Sequence, residues 1–222
     1  MPNIVAYDII SGGIVKTSGT SFALARTAAS GDSAWQNTQY PDTRTNITGG
    51  PTYAIARGVL GFDLSSLAGS VISATVSVYG QSKDEDDGTF SVRLVNGSAL
   101  AGTIVVADYG DLLAATANCG SISSSAWAIG SFNNINLTGT GLAILSATTV
   151  YFGVRTSLDI NNTAPTVGLN DVSWLGYGYG NDSYITVTVA SGEEAGAIGV
   201  VGETFHYVSK TGVEYVVQGT AV

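Results

Sequence analysis

The most unusual residues in this chain are aromatic. The segment Trp174-Leu-Gly-Tyr-Gly-Tyr-Gly180 separates three aromatic residues by glycines and lies close to Tyr184. Exposed aromatic rings stack on sugar rings or on partner proteins, and glycines let another backbone approach closely. We therefore predict that Trp174, Tyr177, Tyr179 and Tyr184 form a surface for a ligand or partner. The alternative is that they pack at an edge of the fold. Trp35 and Trp127, in loop-like sequence, could serve either way.

A second group with possible chemistry is the acidic run Lys83-Asp-Glu-Asp-Asp-Gly88. Clustered carboxylates followed by glycine can bind calcium, which makes Asp84, Asp86 and Asp87 candidate ligands. The spacing does not match an EF-hand loop. A solvated hairpin loop is the simpler interpretation, and we expect no other cofactor.

Groups that could support catalysis are few. His206 is the only histidine and falls in a predicted hairpin, while Cys119 has no basic neighbour in sequence, which is typical of a small buried residue. The glutamates lie in the acidic loop, the linker or the tail: Glu85, Glu193, Glu194, Glu203 and Glu214. None sits on an apolar strand, where a carboxyl pKa would be raised for glycoside hydrolysis. We therefore expect a protein without enzymatic activity.

The composition excludes several other classes. Eight basic residues against seventeen acidic ones give a net charge of −9, which disfavours binding to nucleic acid phosphates. One cysteine and one histidine exclude a disulfide framework and a zinc site of the Cys/His type. No apolar stretch reaches the ~20 residues of a spanning helix, so no membrane contact is expected. The N-terminus lacks the pattern of a signal peptide.

The elements that position these residues are predicted to be strands. Val71 to Tyr79 has the clearest period of two, with Ile72, Ala74, Val76 and Val78 on the buried side. Turns are predicted at several places, including Ser11-Gly-Gly13, and helical turns at Asp111 to Ala117, capped by Asp111, and at Thr140 to Leu145. The remaining predicted strands are Ile4 to Ile10, Phe22 to Thr27, Arg57 to Phe62, Phe90 to Val95, Thr103 to Val106, Val150 to Thr156 and Tyr184 to Val189.

This spacing of strands predicts an all-β fold, an antiparallel jelly-roll-type β-sandwich over residues 1–190. Within it, Arg57 and Arg155 are expected to pair with Asp63 or Asp159, and Asp63 to cap the turn that follows it.

The end of the chain differs in composition. Residues 191–197 are small, polar and acidic, a composition typical of a linker. The pattern of residues 198–222 predicts a C-terminal β-hairpin extension. An isolated hairpin is marginally stable in water, so this one needs a partner. We expect residues 198–222 to be an attachment segment that acts through Phe205, Tyr207, Tyr215 and Val217, and we expect a homo-oligomer.

Two stretches carry a resemblance to known proteins. Arg57-Gly-Val-Leu-Gly-Phe-Asp-Leu-Ser-Ser-Leu67 followed by Ile72-Ser-Ala-Thr-Val-Ser-Val-Tyr-Gly80 resembles a block of the disaggregatase-related and carbohydrate-binding-like jelly-roll modules of bacterial, archaeal and phage surface proteins. The segments 22–31, 132–155 and 183–189 are similar to other strands of that family. The resemblance covers roughly residues 20–190. The tail Gly202 to Gly219 resembles terminal segments of phage structural proteins.

These observations predict a virion structural protein without enzymatic activity, of the phage capsid-decorating, fibre or tail accessory class. It would be made in the host cytoplasm without a signal peptide and would contact other virion proteins. The alternative is a carbohydrate-binding module that recognises a surface glycan. A glycan hydrolase is the third candidate.

Overall fold

The computed structural model describes residues 3–50 and 52–190 together with two strands, 204–208 and 214–218. Thirteen strands and four α-helices lie in these residues. The strands are β1 (Asn3–Ser18), β2 (Ser33–Gln36), β3 (Asp42–Thr48), β4 (Thr52–Asp63), β5 (Val71–Glu85), β6 (Ser91–Asn96), β7 (Gly120–Ser123), β8 (Phe132–Asn136), β9 (Thr149–Thr156), β10 (Asn170–Trp174), β11 (Tyr184–Val189), β12 (Thr204–Val208) and β13 (Glu214–Gln218). The helices are α1 (Phe22–Arg26), α2 (Asp108–Ala114), α3 (Gly139–Ala143) and α4 (Ser157–Ile160).

Strands β1 to β11 form an antiparallel sandwich, which confirms the predicted fold class. They pair in the order β2-β1-β11-β5-β10-β3-β4-β9-β6-β7, and β8 adds to β5. Two long strands belong to both layers. β1 pairs with β11 through residues 3–7 and then with β4 through residues 8–18, and β5 passes from β11 to β10. β-Bulges at the crossings let these strands bend between layers.

The main core lies between the layers and a second core lies under the helices. Phe62, Phe152 and Trp174 are fully buried in the first. Ile55 and Leu112 belong to the second, which α1 and α2 cover. β4 is therefore buried on both faces, which explains why residues 57–62 read as an almost continuous apolar run.

A buried ion network joins β4, β9 and α4. Arg57 donates from Nε and Nη2 to the two carboxyl oxygens of Asp159, at 2.9 and 3.0 Å, and Arg155 Nε donates to Asp159 Oδ2 at 2.7 Å. All three side chains are at most 1% exposed. Asp159, and not Asp63, is thus the partner of both arginines. Asp63 is exposed and accepts from the Ser65 amide at 2.8 Å, as predicted for a turn cap.

The predicted strand Phe22 to Thr27 is wrong, because these residues form helix α1. Ser21 caps the helix by accepting from the Leu24 amide, and the buried residues Phe22 and Ala25 are three apart. Alternation over so few residues fits a helical period as well as a strand.

Smaller corrections concern strand ends and turns. Thr103 to Val106 is a loop, held where the Ile104 amide donates to Gln36 Oε1. The predicted turn at Ser11-Gly-Gly13 is instead the middle of β1. Ile72 is 46% exposed, because a register shift at the end of the β5–β11 ladder changes the face it occupies. The first predicted helix begins earlier, at Asp108, so Asp111 lies inside α2 and is not its cap.

The second predicted helix is confirmed as α3 and the short 3₁₀ turn that follows it. The C-terminal hairpin is confirmed as β12 and β13, which form a two-stranded sheet of their own. Phe205 is opposite Val217 and Tyr207 is opposite Tyr215, so the register places all four positions on one face of the ladder. The predicted linker, 191–197, lies outside the described residues. No helix among the described residues is long and apolar enough to span a membrane.

Candidate functional site

The predicted aromatic surface does not exist as one platform. Trp174 is fully buried in the main core, so its ring cannot stack on a ligand. Tyr177 and Tyr179 are 40% and 48% exposed, and Tyr184 belongs to a different aromatic group on β11. The segment is buried at its start because β10 alternates: Val172 and Trp174 enter the core, whereas Asp171 and Ser173 face outward.

Tyr184 lies in the outer face of the layer β1-β11-β5-β8, a surface we call the outer face. The strand registers place Tyr7, Tyr184, Ser77 and Asn134 in one row and Val5, Thr186, Thr75 and Asn136 in the next. Asn3, Thr188 and Ser73 form a third row, and Tyr79 and Phe132 pair at the opposite end. None of these residues carries a charge.

Four aromatic rings of the outer face form a continuous cluster. Tyr7 and Tyr184 have ring centroids 6.0 Å apart, Phe132 and Tyr184 5.1 Å, and Tyr79 and Phe132 5.3 Å, all with tilted or edge-to-face geometry. Tyr7 is 63% exposed and Phe132 is 37% exposed. The cluster borders a depression of about 480 Å³ beside Asp182. Exposed aromatic surface of this kind is typical of a contact site.

The polar side chains of the outer face are bonded across strands. Ser77 donates to Asn134 Oδ1 at 2.8 Å, Thr75 donates to Asn136 Oδ1 at 2.9 Å, and Thr188 donates to Asn3 Oδ1 at 3.0 Å. Hydroxyls and amides that already hold one another need little rearrangement to meet a partner. The strand residues of the outer face are therefore pre-arranged and uncharged, with Asp182 at the border.

A second candidate site is a groove where β3, β10 and β5 meet the segment 35–40, with a volume of about 520 Å³. We call it the acidic groove. It is lined by Trp35, Thr38, Gln39, Tyr40, Asp42, Arg44, Ser82, Asp171 and Ser173. In the β3–β10 ladder Asp42 is opposite Ser173 and Arg44 is opposite Asp171. Ser82 and Ser173 share a hydrogen bond of 2.6 Å at its floor.

The wall of the acidic groove is held by close backbone contacts. Asn37 adopts φ +51° and its amide donates to the Ser11 carbonyl at 2.6 Å. The Gly176 amide donates to the Gln39 carbonyl, and a Cβ at Gly176 would overlap the Thr38 carbonyl oxygen. Gly176 therefore permits the segment 35–40 to pack closely against it. The Trp174 amide holds this wall in place by donating a hydrogen bond to the Pro41 carbonyl.

Burial dominates the electrostatics of the acidic groove. It raises the pKa of Asp42 to about 6, since Arg44 offsets the effect only in part and Asp171 adds to it. Burial also raises the pKa of Asp171, and the charge of Asp84 acts in the same direction. Arg44 Nε lies 2.8 Å from Asp42 Oδ2. The groove thus holds two carboxyls beside one guanidinium.

The acidic loop is used for internal bonds. Asp86 Oδ2 accepts from the Leu169 amide at 2.8 Å, and Asp87 accepts from the Thr166 amide and hydroxyl. Asp84 lies opposite Asp171 in the β5–β10 ladder. Within the described parts of the chain, no group of three or more His, Cys, Asp or Glu side chains is placed to hold a metal ion.

Asp8 is a further buried acid, 1% exposed, near the segment 176–183. Its amide donates to the Ser183 carbonyl, and among the described residues its two carboxyl oxygens have no hydrogen-bond partner. Burial, and then the charge of Asp182, raise the pKa of Asp8 to about 7. The carboxyl is therefore held in an environment that favours its neutral form.

Other candidate residues carry little chemistry. Cys119 is fully buried, and burial raises the pKa of its thiol, as expected for a packing residue. Trp127 is also buried. His206 lies in β12, where the structure describes only the backbone.

Sequence reasoning missed the acidic groove. The signal was present in the polar residues of Asp42-Thr-Arg44 and Asp171-Val-Ser173, which alternate with residues that turn to the other side of the sheet. Their meeting depends on β3 and β10 being neighbours, which no local pattern shows.

No protein-family model matches this chain, and no curated protein matches it. The resemblance to jelly-roll surface modules therefore stays a prediction from the residues that carry it.

Proposed function

We propose that this chain is a structural protein of a virus particle, without enzymatic activity, and that it binds its neighbours through the outer face and the C-terminal hairpin. It would belong to the phage capsid-decorating, fibre or tail accessory class. The observation that carries the proposal is the uncharged outer face with its exposed aromatic cluster on a chain of net charge −9. The resemblance of residues 20–190 to jelly-roll modules of bacterial, archaeal and phage surface proteins, and of the tail to phage structural proteins, supports the choice of particle.

Charge explains why the outer face suits assembly. Copies of a strongly acidic chain repel one another wherever their carboxylates meet. An uncharged face with Tyr7 and Phe132 exposed permits close approach and buries apolar surface. A second copy, or a neighbouring virion protein of similar chemistry, is the partner that fits.

The size of the outer face explains why a second contact is needed. Four strands about 4.8 Å apart, each showing some five residues of about 3.4 Å rise, outline roughly 300 Å². A stable interface covers about 800 Å² on each partner. Among the residues that the structure describes, β12 and β13 pair only with each other. The outer edges of a two-stranded sheet accept strands from neighbours. The hairpin would add to the area that the outer face supplies.

Composition analysis of virus particles tests the proposal. Particles purified on a density gradient from a culture that produces this chain are digested and analysed by peptide mass spectrometry. We expect peptides of the chain to follow the capsid protein through the gradient in a fixed ratio. A chain found only in the unassembled fractions contradicts a structural role.

A carbohydrate-binding module is the second candidate function. The acidic groove favours this function, because aromatic and hydrogen-bonding side chains converge there. The segment 174–180 does not. A glycan hydrolase has no comparable support, because Asp42 is already paired with Arg44, and Asp171 Oδ2 accepts from Asn46 Nδ2 at 3.1 Å.

A further inference from the structure

We infer that the acidic groove is a binding site for a neutral saccharide. The groove is separate from the outer face, so the inference holds whether or not the chain assembles, and it gives the second candidate function its site. Its volume of about 520 Å³ falls within the usual range of ligand pockets, about 300–1,000 Å³.

The groove offers aromatic surface on one side. Trp35 lines it while the edge of the indole rests on Gly13, where an added Cβ would lie 3.1 Å from Trp35 Cζ2. Tyr40 lines it as well and is 54% exposed. An indole held in this manner can offer apolar surface to the C–H groups of a sugar ring at little cost in side-chain entropy.

The other side offers hydrogen-bonding groups that are not used up. Among the described residues, Thr38 Oγ1 is buried without a hydrogen-bond partner, whereas Arg44 Nε is held 2.8 Å from Asp42 Oδ2. Buried polar groups cost free energy when unpaired, so a ligand that bonds them gains affinity. The Asp42 and Asp171 carboxyls can accept from hydroxyls, and Arg44 can donate. A ring with several hydroxyls and apolar C–H faces satisfies both sides of the groove.

Charge selects the kind of saccharide. Asp42 and Asp171 face one arginine, and Asp84 lies opposite Asp171 in the β5–β10 ladder. A sugar acid would be repelled by this excess of carboxylates, whereas a neutral sugar would not. Asp42 and Asp171 are diagonal partners of the ladder, so their Cβ atoms are about 7 Å apart, a distance one sugar ring can bridge.

Isothermal titration of the full chain tests the site. The probes are neutral hexasaccharides of glucose, galactose, mannose and N-acetylglucosamine, with a galacturonic acid hexasaccharide as the charged comparison. We expect at least one neutral probe to bind and the charged one not to bind. Tyr40→Ala and Asp171→Asn should each weaken binding by about tenfold. Tyr179→Ala, at a similarly exposed tyrosine outside the groove lining, should leave affinity unchanged.

Three results separate the possibilities. Absence of binding by every neutral probe at millimolar concentration overturns the saccharide site and leaves the assembly role standing. Loss of binding in Tyr179→Ala but not in Tyr40→Ala places the site on the segment 174–180 and also overturns the inference. Release of shorter saccharides during the titration would retain the groove as a sugar site but contradict the proposal of a protein without enzymatic activity.

Discussion

Asp42 on β3 and Asp171 on β10 lie diagonally across one ladder, each opposite a residue of the other strand that lines the same groove. The same strand β10 sends Val172 and Trp174 into the main core. The strand side of the groove is therefore fixed by core packing, and its acids are held partly out of water. This arrangement gives a rigid site, and it links the groove to the stability of the sandwich.

The groove wall should depend on Gly176. A methyl group there would overlap the Thr38 carbonyl oxygen, which is backbone and cannot rotate away. We expect Gly176→Ala to lower the free energy of unfolding by about 1–3 kcal/mol, as overpacking does, and to weaken saccharide binding. Gly19→Ala is the control, because nothing lies within 4 Å of its added Cβ. Urea unfolding measures the stability of both variants. Equal free energies of unfolding would contradict the close approach of Gly176 to the Thr38 carbonyl.

The buried ion network should be the most sensitive part of the fold. Asp159→Asn leaves Arg57 and Arg155 without their counter-charge in the interior, which should cost about 3–5 kcal/mol. Asp32→Asn is the control, since Asp32 forms an exposed pair with Lys16 and should change stability by no more than about 1 kcal/mol. A loss below about 1 kcal/mol for Asp159→Asn, measured by urea unfolding, contradicts the network.

The same network predicts acid sensitivity. Burial opposes the charge of Asp159, but the hydrogen bonds and charges of Arg57 and Arg155 outweigh it and hold the pKa of Asp159 below its usual value. The stabilisation is therefore complete above the unfolded pKa of 3.8 and is lost as pH falls through the folded pKa. Wild type should lose more stability than Asp159→Asn between pH 5 and pH 2, and parallel losses would argue against it.

Asp8 should change stability with pH in the direction opposite to that of Asp159. Its folded pKa, about 7, lies above the unfolded value of 3.8, so the folded chain retains the proton longer and loses stability as pH rises from about 4 to 7. We expect Asp8→Asn to match wild type near pH 4 and to exceed its free energy of unfolding by up to about 4 kcal/mol at pH 8. Thermal unfolding at both pH values measures this. Identical pH profiles for the two proteins would show that Asp8 is not held in an unfavourable environment.

Much of the fold could be predicted from the sequence because its strands alternate strongly. Val71 to Tyr79 shows period two over nine residues, which is enough to exclude a helix. The strand prediction for Phe22 to Thr27 is wrong because six residues are too few to separate a strand period from a helical one. A capping serine at position 21 was the better signal.

The candidate sites could be predicted only in part. Tyr184 packs with Tyr7 and Phe132, which come from strands far apart in the chain, and not with the predicted partners Trp174, Tyr177 and Tyr179. Trp174 was assigned to the surface because sequence shows aromatic residues but not which side of a strand faces the core. The groove acids were missed because their proximity is created by tertiary pairing of β3 with β10.

The hairpin should be dispensable for folding and necessary for assembly. The last described residue of the sandwich is Ala190, whose amide donates to the Ser70 carbonyl at 2.8 Å after β11 ends. A chain ending at Ala190 should keep its melting temperature within a few degrees and lose incorporation into oligomers or particles. Calorimetry and sedimentation measure the two properties. An insoluble or unfolded product would show that residues beyond 190 complete the core.

The most direct test of the central claim is the sedimentation equilibrium mass of the full chain with Tyr7→Asp. Tyr7 is 63% exposed in the outer face, so the change adds a charge there without disturbing the core. Tyr40→Asp adds the same charge at a similarly exposed tyrosine outside the outer face. We predict that wild type and Tyr40→Asp sediment as oligomers of the 22.6 kDa chain at micromolar concentration and that Tyr7→Asp sediments as a monomer. A wild-type monomer at every concentration, or an oligomer that Tyr7→Asp leaves intact, would contradict assembly through the outer face.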